Sequence, residues 1–274
     1  MDATSTATVV ACLKWVTHPG EPHDERFAGM SPADQSALEF ALVHAAALGV
    51  GVTAVTVGPP TAEKVLRDAL ACGAGRAIHI HGSGSADSAE VAEAIAAAVP
   101  TAQWVWCGDY SLDRGTGSVP VFLAAALGAQ QALGIIAVGW SATGVEATRR
   151  LDGGRRELLA VAAPAVISVE GATAHLRRAG LAALRTANTA EIYSIRPPTL
   201  GHTDEAVVRP YRPRSRALAA PTGDHPLDRL RALTDAGSAT STRGETVVLE
   251  PAAAAARIES ALRQWGYLGA GRTD

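Results

Sequence analysis

The sequence predicts a three-layer α/β domain built on a mainly parallel sheet, followed by an arm with no core of its own. Three observations predict it. Short apolar runs rich in β-branched residues recur along the first two thirds of the chain, as strands buried on both faces require. Between them lie segments whose apolar residues recur three and four apart, the helical spacing. From Arg196 the composition turns to prolines and arginines with few core residues, which reads as an extended arm. The expected division is therefore a domain over residues 1–195 and an arm over 196–274.

Bulk composition narrows the class. The chain has 274 residues, 47% hydrophobic and 19% charged, enough for one large domain with an appendage. A formal net charge of −3 argues against a nucleic-acid partner, which favours a clearly basic chain. Lys14 and Lys64 are the only lysines; arginine supplies the rest, a bias that goes with the high Ala and Gly content and carries no function. Cys12, Cys72 and Cys107 are odd in number and lack CxxC spacing, so they read as buried free thiols. There is no signal-peptide pattern and no apolar run long enough for membrane insertion. The expectation is a soluble cytoplasmic protein.

In order, Ala7–Val16 is the first buried strand, with Lys14 near its C-terminal edge, where parallel sheets place their ligands. A polar loop leads to Ser31-Pro32-Ala33-Asp34, a helix start with an N-cap serine, proline at the first position and an acid at the third. Strands follow at Gly51–Val57, Arg76–His81 and Trp104–Gly108, with helices at Ala62–Cys72 and Ser85–Val99 between them. This βα alternation implies a parallel sheet covered on both faces, a Rossmann-like architecture. His79 and His81 share a strand face but lack a third ligand nearby. Gly82-Ser83-Gly84 is only a fragment of a dinucleotide fingerprint. After Leu133 the pattern changes to strands at Gly134–Gly139, Val145–Arg150 and Arg156–Ala162, with a turn at Asp152-Gly153-Gly154, then a buried strand at Ala165–Val169. Pro251–Tyr267 is an amphipathic helix (251–268 at its widest) that needs the domain or a partner to pack on.

The loop Asp109–Ser118 joins a buried strand to a helix starting near Val119 or Pro120. Strand, small-residue loop and helix N-terminus together direct amides and a positive dipole at one spot, the recipe for holding a phosphate.

The residues resemble a family, the β subunit of electron transfer flavoproteins. The most specific segment is Ala147–Val169. It carries Ala147, Arg149, the Asp152-Gly153-Gly154 turn, Glu157, Pro164 and Val166-Ile167 in the family's order; only Ser168 departs from its preferred residues. The first strand with Lys14, the Ser31–Asp34 helix start, Leu66–Ala74 and the terminal helix with Trp265-Gly266-Tyr267 agree in order. The resemblance is close over 7–195 and holds only in outline over the arm.

The resemblance implies an adenine nucleotide α-hydrolase-like fold and a carrier subunit rather than an enzyme. Such a subunit pairs with an α subunit that carries FAD, and the heterodimer shuttles electrons from a dehydrogenase to a downstream acceptor. It also implies a structural AMP, or a second flavin, in the β chain. Carried over residue by residue, the nucleotide contacts fall on Cys12, Lys14, Ser31, Asp34, Val57, Asp113, Arg114, Thr116, Gly117, Ser118 and Val119. The family's docking leucine falls on Leu181; the alternative reading of that residue is an ordinary core position of a helix.

The chain departs from the family at the nucleotide. Gly115, Ser118 and Pro120 replace an acid, a glutamine and a glycine of the phosphate loop, and proline has no amide to donate. Arg114 offers a charge-assisted contact in compensation. Ser31 and Ala33 replace an asparagine and an aromatic, and His18 and Pro19 stand where the family has a tyrosine near the flavin. Two outcomes stay open: an adenine nucleotide is retained, or the site is altered or lost. The lysine-rich stretch after the docking leucine is missing, which points away from an acyl-CoA dehydrogenase partner. These departures fit a divergent branch such as the one that accompanies the mycofactocin redox system. A competing reading is a universal-stress-type module that binds adenine nucleotide without electron transfer. A third, an enzyme on the same fold, lacks a nucleophile–base pair.

Overall fold

A nine-stranded sheet organises the molecule, and its strand order sets where a ligand can sit. The computed structural model describes residues 8–17, 25–83, 86–141, 144–197, 224–233, 247–265 and 267. His18 and Pro19, Gly84 and Ser85, the tip of the turn at 142–143, and most of the arm, 198–223 and 234–246, lie outside the described residues.

The elements are β1 (Val9–Cys12), β2 (Trp15–Val16), β3 (Gly29–Met30), α1 (Pro32–Leu48), β4 (Val52–Gly58), α2 (Glu63–Cys72), β5 (Arg76–His81), α3 (Ser88–Ala98), β6 (Trp104–Gly108) and α4 (Val119–Leu127). They continue as β7 (Gln130–Ser141), β8 (Gly144–Arg150), β9 (Arg156–Val161), β10 (Ala165–Val169), α5 (Leu181–Thr189), β11 (Tyr193–Ile195), α6 (Pro226–Leu233) and α7 (Pro251–Gln264). The sheet runs β11-β5-β4-β1-β6-β10-β7-β8-β9. Every pair from β11 to β7 is parallel, and the β7–β8–β9 ribbon is antiparallel. The fold is thus Rossmann-like, with helices on both faces of a mostly parallel sheet.

Two apolar layers hold it. On one face Leu38, Ala41 and Leu42 of α1 and Val65 and Leu66 of α2 cover Val9, Ala11, Trp104 and Trp106. On the other, Ala92 and Ile95 of α3 and Leu123 and Ala124 of α4 cover Val10, Ile78, Ile80 and Val105. Successive strand residues serve opposite layers, which is why the strands read as unbroken apolar runs.

Helix α1 starts as its sequence predicts, with the Ser31 hydroxyl accepting from the Asp34 amide at 3.0 Å. Within α1 the His44 ring is buried among Trp104, Trp106 and Trp140. The Trp106 indole N–H donates to its Nδ1 at 3.3 Å, so Nδ1 carries no proton, and burial pushes the pKa of His44 down to about 4. The Asp152–Gly154 turn forms as read: Gly153 and Gly154 sit at φ of 71° and 74°, a region that favours glycine.

Some boundaries differ from the sequence reading. The first strand does not run through Val16. β1 stops at Cys12 because the Lys14 amide turns to the Asp34 carboxylate, and Trp15–Val16 pairs instead with β3. β7 begins at Gln130, directly after α4, rather than at Gly134. α7 ends at Gln264 rather than at Tyr267. α6 was not anticipated; a short helix with exposed Leu227 and Leu230 leaves little periodic signal in an arginine-rich stretch. The chain divides into two compact units, Met1–Glu205 and Ala206–Asp274. In the second, Val247 and Leu249 line a shallow pocket with Ala254, Ile258 and Ala261 of α7.

Candidate functional site: a cleft at the sheet crossover

Strand order reverses between β1 and β6. From β1 the chain builds outward through β4 and β5; with β6 it crosses to the other side. The helices that follow these two strands, α1 and α4, pack on opposite faces of the sheet. Their divergence opens a crevice beyond the carboxyl ends of β1 and β6, where open α/β sheets bind ligands. Here it is a cleft of about 280 Å³.

Asp34, in the first turn of α1, holds the mouth of the crossover. Where β1 and β6 separate, the amides of Lys14 and Gly108 lose their sheet partners, and both donate to this one carboxylate; the Lys14 bond is 3.0 Å. Asp34 is almost wholly buried, and desolvation outweighs these bonds and pushes its pKa up to about 7. Gly108 is required for the approach: a Cβ there would lie 2.5 Å from Asp34 Oδ1 and 3.0 Å from Ala33 Cβ.

The loop Asp109–Ser118 runs along the cleft and is tied on both sides. Lys14 Nζ donates to both oxygens of Asp113, at 2.8 and 2.7 Å. Burial disfavours the charged Asp113, but Lys14 and Ser111 outweigh it and hold the carboxyl below its usual range. Arg114 Nη1 donates to the Ala86 carbonyl at 2.8 Å, and the Ser118 and Ser88 hydroxyls bond at 2.9 Å, joining the loop to the start of α3. Gly117 passes so close to the chain that a Cβ would lie 1.8 Å from the Asp109 carbonyl oxygen. Asp109 is raised in pKa by burial and by Glu170, and its Oδ1 is buried without a hydrogen-bond partner.

Of the sequence-assigned residues, Cys12, Lys14, Asp34, Val57, Asp113, Arg114, Thr116, Gly117 and Val119 line the cleft together. Ser31 and Ser118 do not. Ser31 is spent on capping α1, and the Ser118 hydroxyl on Ser88. Reasoning from sequence missed Cys107, Val91 and Ile95, which complete the apolar wall. Strand alternation places Cys107 and Val105 on one face, so that signal was present for Cys107. Leu181 lies elsewhere, at the start of α5, and is 75% exposed, which rules out the reading of it as a core residue. Arg67 Nη1 holds the far end of that helix through the Ala187 and Ala190 carbonyls.

The lining fits a nucleoside monophosphate. Apolar side chains of α3, Val57 and the two thiols offer a surface for a ring. Lys14, paired with Asp113, and Arg114, bonded to the Ala86 carbonyl, bring positive charge to the cleft beside the N-terminus of α4. Pro120 lies in the first turn of α4 and has no amide to donate. Among the described residues no three His, Cys, Asp or Glu side chains gather as metal ligands, and no helix is long and apolar enough to cross a membrane.

A Rossmann-like sheet with a cleft at its crossover defines an open α/β protein. Comparison with known proteins carries this further. The family model for the electron transfer flavoprotein domain matches residues 24–200, well over half of the chain. The chain belongs to this family, on the side of its β subunits. It is 32% identical to an electron transfer flavoprotein subunit beta of Clostridium acetobutylicum, over 45% of this chain and 53% of that protein. It is 34% identical to the protein FixA of Rhizobium meliloti, over 58% of this chain and 59% of that one. A subunit beta of Dictyostelium discoideum is 29% identical over 52% of this chain and 57% of its own length. The matches thus span between half and three fifths of these relatives.

Proposed function

We propose that this chain is the β-type subunit of an electron carrier, paired with an FAD-bearing α subunit and passing electrons from a dehydrogenase to a downstream acceptor. What supports the reading is the family match over residues 24–200, which takes in the cleft lining from Asp34 onward, though not its β1 wall, together with the Asp152–Gly154 turn and α5. The flavin held by the partner supplies the redox chemistry. This chain's own residues bind, orient and dock.

In this reading the cleft holds an adenine nucleotide, AMP in the first instance, as a structural ligand. Val57, Val91 and Ile95 face the base, and Lys14, Arg114 and the start of α4 face the phosphate. Leu181, exposed on a helix anchored at its other end by Arg67, is the docking residue for the electron donor. The protein works in the cytoplasm, in a divergent branch of the family such as the mycofactocin-associated one.

Co-expression with a flavoprotein α subunit tests it. The expected product is a yellow one-to-one complex. In that complex Leu181→Ala slows reduction by the donor dehydrogenase and leaves the flavin bound. A colourless monomer that ignores every α chain offered would overturn the reading.

A further inference from the structure

Cys12 and Cys107 come from distant parts of the sequence and meet in the cleft. They are in-register partners on the adjacent parallel strands β1 and β6, so their side chains leave the sheet on the same face. Both are free and buried, at 8% and 4% exposure, and both line the cleft. Cys72, the remaining cysteine, sits at the end of α2 and donates to the Arg177 carbonyl.

We propose that Cys12 and Cys107 form a reversible two-electron thiol–disulfide site in the wall of the cleft, oxidised by a peroxide or another small oxidant that enters there. Distance permits it. Neighbouring strands lie about 4.8 Å apart, inside the ~4.4–6.8 Å Cα window of disulfides and toward its short end. A zinc site does not compete, because two thiols fill only half of its coordination sphere and no third ligand joins them among the described residues.

The two thiols have different parts. Contact with Cys12, burial and the facing Asp34 carboxyl raise the pKa of Cys107 and keep it a thiol. Cys12, the less buried, meets the oxidant first. Its thiolate attacks one oxygen of hydrogen peroxide, the O–O bond breaks, and the products are a Cys12 sulfenic acid and hydroxide. The Cys107 sulfur then attacks the Cys12 sulfur. The S–O bond breaks, the S–S bond forms, and the Cys107 proton leaves with the hydroxyl as water. Two electrons pass from the two sulfurs to peroxide. The bond fastens β1 to β6 at the point where the strands diverge, and it replaces two thiol groups of the cleft wall. The oxidant enters the same cleft in which a nucleotide is proposed, so a ligand bound there would shield both thiols.

The experiment uses the full chain with Cys72→Ser, treated with hydrogen peroxide and read by intact mass and by non-reduced peptide mapping. Most chains should lose two hydrogens in mass and yield a peptide pair linked through Cys12 and Cys107. Dithiothreitol should restore both thiols. With Cys107→Ser added, Cys12 should run on to the sulfinic acid, two oxygens heavier. Two results overturn the proposal: both thiols unchanged under peroxide, or Cys12 oxidised to sulfinic acid while Cys107 stays free beside it. The wild-type chain, mapped in parallel, gives the same decision without any substitution.

Discussion

The two faces of β6 solve opposite problems. Trp104 and Trp106 point into a packed apolar layer in which the buried His44 ring accepts from an indole N–H. One residue along, Val105 and Cys107 point toward α3 and α4, and at Cys107 the packing gives way to the cleft. On the first face shape and burial do the holding. At the mouth of the second, polar groups do: Asp34 takes two strand-end amides, and Lys14, Asp113, Arg114 and Ser118 tie the loop. The difference shows how one five-residue strand can brace a fold and still leave room for a ligand. Both faces are packed along most of β6, and only the mouth at Cys107 is left open.

Substitutions can break this contrast, and the core should suffer most. Trp106→Ala removes a fully buried side chain stacked on Phe40 and bonded to His44. Denaturant unfolding should show a loss of about 3–5 kcal/mol. Gly108→Ala acts at the cleft by overpacking, since its Cβ would meet Asp34 and Ala33. The expected loss is about 1–3 kcal/mol by the same measurement.

The two regions should also oppose each other in pH. His44 has a lowered pKa, so it contributes stability at neutral pH that is lost as pH falls from 6.5 toward about 4. Asp34 has a raised pKa, so its contribution is present below 3.8 and lost as pH rises toward about 7. Between those limits the slopes partly cancel. Asp34→Asn should leave His44 unopposed and make stability fall more steeply on acidification than in the wild type; His44→Leu should make it fall less steeply. Denaturant midpoints across this range decide it, and parallel curves for all three proteins would contradict the assignment. The smallest effect belongs to the surface. Arg177→Ala removes the paired contacts to Glu39 at an exposed site, and should cost at most about 1 kcal/mol in the same assay.

Much of the fold was legible because its signals are local. β-branched apolar runs gave the parallel strands, Ser31 and Pro32 gave the start of α1, and Asp152-Gly153-Gly154 gave the ribbon turn. Most of the cleft was legible too, through the residue-by-residue resemblance and the loop after β6. What stayed hidden depends on register between distant segments. Nothing in either segment reveals that Cys12 faces Cys107, that Arg67 caps α5, or that Glu39 receives Arg177. β1 ends early because a side chain twenty residues on, Asp34, draws off the Lys14 amide. Ser31 and Ser118 were assigned to the ligand because they stand at the family's motif positions; the fold uses their hydroxyls itself.

The central claim is that the cleft between β1 and β6 holds an adenine nucleotide. It is tested most directly by denaturing the purified native protein and identifying the released small molecules by mass spectrometry, for the wild type and for Arg114→Ala. The prediction is close to one adenine nucleotide per wild-type chain, with clearly less retained by Arg114→Ala at unchanged thermal stability of the ligand-free protein. A folded wild-type protein that releases no nucleotide, and gains none when incubated with AMP, would contradict it.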